Sequence, residues 1–109
     1  MNLLHLRRQI RAGRVRVEFV VHALTEAFKD GLTMEELRGA VLKGEVIEDY
    51  GTQALLLTFT TPDRIPYHVV VEYFSGDRVT TVVTAYIPDT SHWESDWKRR
   101  KKLHRKRRS

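Results

Sequence analysis

Cysteine is absent from this chain of 109 residues, and so are long apolar runs. The lack of cysteine excludes disulfides, thiolate zinc sites and cysteine nucleophiles. No stretch approaches the roughly 20 apolar residues that span a bilayer. Arginines interrupt the apolar residues near the N-terminus, which argues against a signal peptide. Because a glycine-rich phosphate loop and other cofactor fingerprints are also missing, we expect a cytoplasmic protein that uses neither a membrane nor a cofactor.

Acidic residues are missing from both ends of the chain. Residues 1–16 carry five arginines and no acid, and residues 98–109 carry nine Lys or Arg residues and no acid. All fourteen acidic residues lie between 17 and 97, together with five basic ones. The net charge of +5 therefore combines an acidic middle with two cationic ends. Such ends predict attraction to RNA or another polyanion, to an acidic partner, or to the protein's own middle.

Apolar spacing and turn residues predict helices first and strands afterwards. Helical periodicity covers residues 2–12 and begins again near residue 21 or 22. A third helix begins after Thr33, which forms a capping box with Glu36, and ends at Gly44. Alternating apolar residues then predict strands over 45–50, 54–61, 65–74 and 78–87, with a short strand or extended segment over 14–19.

A second capping-box pattern, at Ser91 and Glu94, predicts a terminal helix that would dock Trp93 and Trp97 on the sheet. The predicted fold class is α+β: N-terminal helices packed on a twisted antiparallel sheet of about four strands, with a C-terminal helix. We expect residues 1–97 to form one domain and residues 98–109 to form a basic tail or helix extension.

The alternation along the strands also assigns side chains to the two faces of the sheet, provided that no bulge shifts the register. The face beneath the helices is predicted to carry Leu55, Leu57, Tyr67, Val69 and Ala85. The opposite face is predicted to carry Leu56, His68, Glu72, Val82 and Tyr86. Titratable groups therefore gather on the second face, which the terminal helix would cover or which would hold a site.

Several segments resemble the domain-of-unknown-function family 4258. They run in order from His22 through residues 44–50 and His68 to residues 84–89 and Trp93, and cover about residues 19–100. The layout of that family is similar to RelE-like toxins, which are small ribonucleases of toxin–antitoxin pairs. The resemblance implies a RelE-like fold, a metal-independent ribonuclease activity and a small antitoxin protein as partner.

His22, His68 and Tyr86 are the candidate catalytic residues. Cleavage of RNA by its own 2′-hydroxyl requires a general base, a general acid and positive charge near the phosphate. The two histidines could supply the base and the acid, and Tyr86 could orient or donate. Arg78 or Arg99 could hold the phosphate.

A structural interpretation competes with the catalytic one. His22 lies one helical turn before Glu26, and His68 lies four residues before Glu72 on the same face of its strand, so each histidine has an acidic residue on its own element for an ion pair. A metal site of His22, Glu26 and His68 is a third alternative, although we predict no metal. The family typically has arginine where this chain has Glu26 and Asp30. The absence of those two arginines removes cations that would hold a phosphate.

The basic residues predicted to bind nucleic acid are Arg78, Lys98, Arg99, Arg100, Lys101, Lys102, Arg105, Lys106, Arg107 and Arg108. Two functions follow from different uses of these cations. In the first, they steer RNA to a ribonuclease site on the open sheet face. In the second, the toxin-like scaffold is a non-catalytic module that binds nucleic acid or protein through the basic tail. An assembly protein, in which the tail of one copy meets the acidic body of another, is a third class.

Overall fold

The computed structural model describes residues 1–102 and confirms the α+β class. In chain order the elements are α1 (Leu3–Arg11), β1 (Arg16–Phe19), α2 (Val21–Lys29), α3 (Met34–Lys43), β2 (Glu45–Asp49), β3 (Gln53–Phe59), β4 (Pro66–Glu72) and β5 (Val79–Tyr86). Among the described residues, no helix has the length and apolar character to cross a bilayer.

The predicted capping box begins α3. The Thr33 hydroxyl accepts from the Glu36 amide at 3.1 Å, and the Glu36 carboxylate accepts from the Thr33 amide at 2.8 Å. At the other end, Gly44 follows α3 and approaches β3 closely. A Cβ on Gly44 would lie 2.6 Å from the Ala40 carbonyl oxygen and 3.1 Å from the Leu56 Cβ. Only glycine therefore fits between the helix end and the sheet without a shift.

The sheet has five strands in the order β1-β5-β4-β3-β2. Strands β2 to β5 form the predicted antiparallel meander, but β1 pairs parallel with β5, from Arg16 opposite Val79 to Phe19 opposite Val82. The prediction of about four antiparallel strands was wrong in this detail. Apolar alternation indicates that residues 16–19 are extended, but it carries no information about a partner strand near the other end of the chain.

All three helices contribute to the core on one face of the sheet. The core cluster includes Leu3, Leu6 and Ile10 of α1, Ala23 and Ala27 of α2, and Leu37, Ala40 and Val41 of α3, packed with Ala54, Leu56, Tyr67, Val69, Val71, Val82 and Ala85 of the sheet. This two-layer arrangement matches the predicted packing of helices on a sheet.

The assignment of β3 to the two faces was wrong by one residue. Leu56 pairs with Val69, and both lie in the core. Leu57 pairs instead with His68, so Leu55 and Leu57 face away from the helices. Residues 54–57 are all buried. Because they are apolar on both faces, they provide no alternation from which to set the phase.

A bulge shifts the register of β5 as well. Between Val70 and Val71 the pairing with β5 slips, so that Val70 lies opposite Thr84 and Val71 lies opposite Val82. Val82, predicted on the open face, is therefore fully buried in the core. One extra residue in a strand reverses the faces on one side of the bulge, which periodicity alone cannot locate.

The predicted terminal helix is wrong. Residues 89–102, called here the C-terminal segment, form turns. The Asp89 carboxylate accepts from the amides of Ser91 and His92 at 2.9 and 3.0 Å, and Asp96 does the same for the next turn. Trp93 then pairs antiparallel with Arg100. Polar side chains that resemble helix caps in sequence here close tight turns instead.

The cationic N-terminal end is part of the fold through α1. The Arg7 guanidinium donates to the carbonyl oxygen of Val41 at 2.9 Å and to that of Gly44, and Arg11 donates to that of Leu42 at 3.1 Å. These carbonyls belong to the last turn of α3 and to Gly44, the residue that follows it, where no further helical amide is available to them. Two of the five N-terminal arginines therefore cap a helix.

Candidate functional site

His68 and Tyr86 meet on the sheet face that is turned away from the helices. They are directly opposite each other in the pairing of β4 with β5, and His68 Nδ1 lies 3.2 Å from the Tyr86 hydroxyl. His68 Nε2 lies 2.7 Å from the carbonyl oxygen of Trp97. Because a carbonyl only accepts, Nε2 carries the proton and donates it, which leaves Nδ1 to accept from Tyr86. Both ring nitrogens are therefore engaged.

The C-terminal segment covers this pair. The side chain of His68 has no exposed surface, and Trp93, only 4% exposed, meets it edge-on with ring centroids 4.4 Å apart. Burial lowers the pKa of His68, although the Trp97 carbonyl and the Glu48 carboxylate act in the opposite direction. Burial also raises the pKa of the half-buried Tyr86. Both groups are thus held in their neutral forms.

An ion pair between Glu48 and Arg100 fastens the C-terminal segment to β2. Arg100 donates from Nε and Nη2 to the two carboxylate oxygens at 2.8 and 2.9 Å, a bidentate geometry. These bonds, and a further one from the Tyr50 hydroxyl, lower the pKa of Glu48. The Arg100 guanidinium also lies over the Trp93 ring, 4.6 Å from its centroid. One side chain therefore joins the buried tryptophan to the edge strand.

Two neighbouring cations are also paired. Lys98 Nζ lies 3.1 Å from the Glu45 carboxylate on β2, and Arg99 Nε lies 2.9 Å from Asp96. The first three residues of the basic run thus contact acidic groups of the same chain. Lys101 and Lys102 are exposed. Attraction of the cations to the protein's own acidic residues was one of the predictions, and it describes these first three residues of the basic run.

A groove of about 500 Å³ lies beside this cluster and is strongly cationic. Its lining combines one acid, Glu94, with four basic residues: Arg99, Arg100, Lys101 and Lys102. Sequence reasoning had assigned all four to nucleic-acid binding. Arg99 and Arg100 are paired with Asp96 and Glu48. Lys101 and Lys102 therefore carry the uncompensated positive charge that attracts phosphate groups to this concave surface.

A family model for a domain of unknown function (DUF4258) matches residues 19–87. The chain belongs to this family. The match begins at the last residue of β1 and ends just after β5, so the DUF4258 domain includes His68, Tyr86 and Glu48. Helix α1 and the C-terminal segment lie outside the matched range, so the residues that cover His68 are not part of the match. No curated protein matches the chain.

The predicted catalytic residues of the DUF4258 domain do not all come together. His68 and Tyr86 are in contact, whereas His22 is exposed near the start of α2 and has no hydrogen bond to either of them. The predicted ion pairs are also absent from the described residues. Glu26 pairs with Lys29 at 3.6 Å, and the Glu72 carboxylate accepts from the Gln53 side-chain amide at 2.8 Å.

The remaining residues predicted to bind nucleic acid or a metal ion do not assemble with His68. Arg78 lies at the turn between β4 and β5 and lines a different cavity from the groove of the C-terminal segment. Arg105, Lys106, Arg107 and Arg108 lie outside the described residues. Within residues 1–102, no group of three or more His, Asp or Glu side chains is placed to hold a metal ion, so His22, Glu26 and His68 do not assemble as a site there.

Sequence reasoning missed the part played by Glu48. A usable signal was present, because β2 contains three acids in five residues and no other strand contains more than one. The negative charge of this edge strand is complementary to the positive charge of the basic run that follows residue 97. The specific pairing of Glu48 with Arg100 depends on how the chain returns to the sheet after β5, which a local pattern does not describe.

Proposed function

We propose that this protein is a non-catalytic module that binds the sugar–phosphate backbone of single-stranded RNA through the cationic groove of the C-terminal segment. The observation that carries the proposal is the groove itself, with four basic residues around about 500 Å³. Four more basic residues, at positions 105–108, follow in the sequence. Lys and Arg on such a surface bind nucleic acid by neutralising phosphates and releasing counterions.

The state of His68 supports binding without catalysis. A general acid or base has to reach the substrate within hydrogen-bonding distance. His68 has no exposed surface, and its two nitrogens are engaged by Tyr86 and by the Trp97 carbonyl. Trp93 is also unsuited to stacking on bases, because it is buried. Recognition is therefore expected to depend on the backbone and to ignore base sequence.

Salt dependence tests this proposal. Six Lys and Arg residues follow Arg100 in the sequence. If each neutralises one phosphate of a single strand, the logarithm of the binding constant should fall against the logarithm of salt concentration with a slope of about −4. Fluorescence anisotropy of a labelled 12-nucleotide RNA, titrated with the full chain at several salt concentrations, measures the slope. An affinity that does not change with salt would refute backbone binding.

A pair of charge-matched variants locates the surface. Replacing Lys101 and Lys102 together by glutamine removes two exposed cations from the groove, and should make the slope shallower by about 1.4. Replacing Arg38 and Lys43 by glutamine removes the same charge from the exposed surface of α3. The control variant should keep the parental slope. Equal losses in both variants would show that net charge, and not the groove, determines affinity.

A RelE-like ribonuclease of a toxin–antitoxin pair is the second candidate, and one observation favours it. The contact of His68 with Tyr86 joins two of the three predicted catalytic side chains, and Arg100 lies close enough to affect the pKa of both. Such a group could transfer a proton beside a phosphate if the C-terminal segment moved away. This function would also require a small antitoxin protein as partner.

The ribonuclease candidate makes a separate prediction. Expression of the parental chain should arrest growth and shorten RNA, and His68→Ala should relieve both effects. Glu48→Gln should increase cleavage, because it removes the ion pair to Arg100 that holds the covering segment and keeps the Arg100 cation. RNA that stays intact with both the parental chain and Glu48→Gln would eliminate this candidate and leave the binding proposal in place.

A further inference from the structure

A second polar cavity, of about 570 Å³, lies between the end of α1 and the turn that joins β4 to β5. Its α1 side is formed by His5, Gln9 and the turn at Arg14, and its opposite side by Tyr73 and the turn leading to Arg78. The volume falls within the range of about 300–1,000 Å³ that is usual for small-molecule sites. None of the residues assigned to the RNA groove lines it.

Arg14 and Arg78 line this cavity and, unlike three other arginines of the N-terminal region, have no side-chain partner among the described residues. Arg7 and Arg11 donate to carbonyls of α3, and Arg16 pairs with Glu18 at 3.1 Å. The side chains of Arg14 and Arg78 make no hydrogen bond or ion pair with another described residue, although both line the cavity. Two arginines that line one concave site and have no side-chain partner among the described residues suit a phosphate group.

The backbone of the cavity walls is fixed before any ligand binds. The carbonyl oxygen of Gln9 accepts from the amides of Arg14 and Val15 at 2.9 and 3.2 Å, which sets the turn after α1. The amide of Arg16 donates to the carbonyl oxygen of Arg78 at 2.9 Å and ties the two walls together. A site whose backbone is already ordered loses less entropy when a ligand binds.

Polar groups in the same walls suit an organic portion attached to the phosphate. The Gln9 amide can donate and accept, and the exposed Asp77 carboxylate accepts hydrogen bonds from hydroxyl groups. Asp77 also repels a bare anion, so it favours a ligand that presents hydroxyl groups to it over inorganic phosphate. The cavity is several times larger than a phosphate ion and has room for a sugar and a base.

We propose that this cavity binds a phosphorylated nucleoside, with the phosphate held by Arg14 and Arg78 and the ribose hydroxyls held by Asp77 and Gln9. The same chemistry could come from a free mononucleotide or from the 5′-phosphorylated end of an RNA strand. The site is separate from the groove of the C-terminal segment and does not depend on the function proposed for that groove.

Calorimetry on the full chain tests the site with AMP, adenosine and inorganic phosphate as probes. AMP should bind at least tenfold more tightly than adenosine, because the hydrogen bonds to a charged phosphate are each worth about a factor of ten. Arg14→Gln and Arg78→Gln should each weaken AMP about tenfold. Arg38→Gln, which removes an exposed arginine from α3 outside this cavity, should not change AMP affinity.

Two outcomes would overturn the site: AMP binding no tighter than adenosine, or Arg14→Gln and Arg78→Gln remaining within twofold of Arg38→Gln. RNA with and without a 5′-phosphate then separates the two sources. If the 5′-phosphate increases RNA affinity and Arg14→Gln abolishes that increase, the ligand is the end of an RNA strand. If AMP binds but the 5′-phosphate does not increase RNA affinity, the ligand is the free nucleotide. The Lys101→Gln, Lys102→Gln variant should bind AMP like the parental chain, which separates a failure here from a failure of the groove.

Discussion

The cationic side chains of α1 and of the C-terminal segment carry charge of the same sign but contact the domain by different physical means. In α1, Leu6 is buried in the core, and Arg7 donates to the carbonyls that end α3. In the C-terminal segment, Lys98 and Arg100 contact carboxylates of β2, and Trp93 supplies the buried apolar contact. Carbonyl acceptors are neutral, whereas carboxylates titrate and are screened by salt. A polyanion can therefore compete for the carboxylate contacts of the C-terminal segment, whereas it does not replace the carbonyl contacts of Arg7 in α1.

Leu6→Ala should have the largest effect on stability. Leu6 is fully buried in the core, and its truncation should lower the free energy of unfolding by about 3 kcal/mol through lost burial and a cavity. Leu4→Ala is the control on the same helix, because Leu4 is 62% exposed and its loss should cost less than about 0.5 kcal/mol. Urea denaturation measures both. Similar values for the two variants would mean that α1 is not integral to the domain.

Gly44→Ala tests how closely the end of α3 must approach the sheet. The added methyl group would lie 2.6 Å from the Ala40 carbonyl oxygen, so we expect a loss of about 2 kcal/mol from the shift it forces. Gly39→Ala is the matched control inside α3. A Cβ at Gly39 meets no atom within 4 Å, and alanine should stabilise the helix by up to about 1 kcal/mol. Melting curves should therefore shift in opposite directions for the two variants.

Arg7→Gln should lower the free energy of unfolding by about 1.5 kcal/mol, since it leaves carbonyls at the end of α3 without their charged donor. Because the acceptors are neutral, the loss should be nearly the same at low and high salt. Arg8→Gln, an exposed change on the same helix, serves as the control. A large salt dependence of the Arg7 effect would contradict the contrast between the two ends.

Glu48→Gln should have the smallest effect, at most about 1 kcal/mol, because the partner Arg100 is exposed. Arg100 lowers the pKa of Glu48 in the folded state below the unfolded value of about 4.3. The contribution is therefore complete above that pH and is lost as the pH falls through the lowered pKa. Stability curves of the parental and variant chains should converge in acid and in high salt. A difference that persists in acid would exclude the ion pair as its source.

The first three helices and the order of the four strands that follow them could be predicted from the sequence because their signals are local. The capping box at Thr33 fixes the start of α3, and alternating apolar residues with turn signals indicate each strand of the meander. The phase of β3 could not be predicted, since residues 54–57 are apolar on both faces. The bulge after Val70 and the parallel pairing of β1 depend on contacts between distant parts of the chain.

The candidate site was predictable only in part, for the same reason. His68 and Tyr86 could be assigned to one face by counting along their strands, and they are indeed in contact. The prediction that His22 acts together with His68 and Tyr86 required a helix residue to approach that face of the sheet. His22 is instead exposed on α2. The cover over His68 could not be foreseen, because Asp89 and Asp96 close turns where the sequence pattern indicates a helix.

The parallel pairing of β1 with β5 also constrains when the sheet can be completed during synthesis. Residues 16–19 leave the ribosome before their partner residues 79–82, which follow about 60 residues later in the chain. Closing so long a loop is slow, because its entropy is lost before the contacts form. We therefore expect the meander of β2 to β5 to form first in the nascent chain, while the side of β5 that will receive β1 stays open as an unpaired edge.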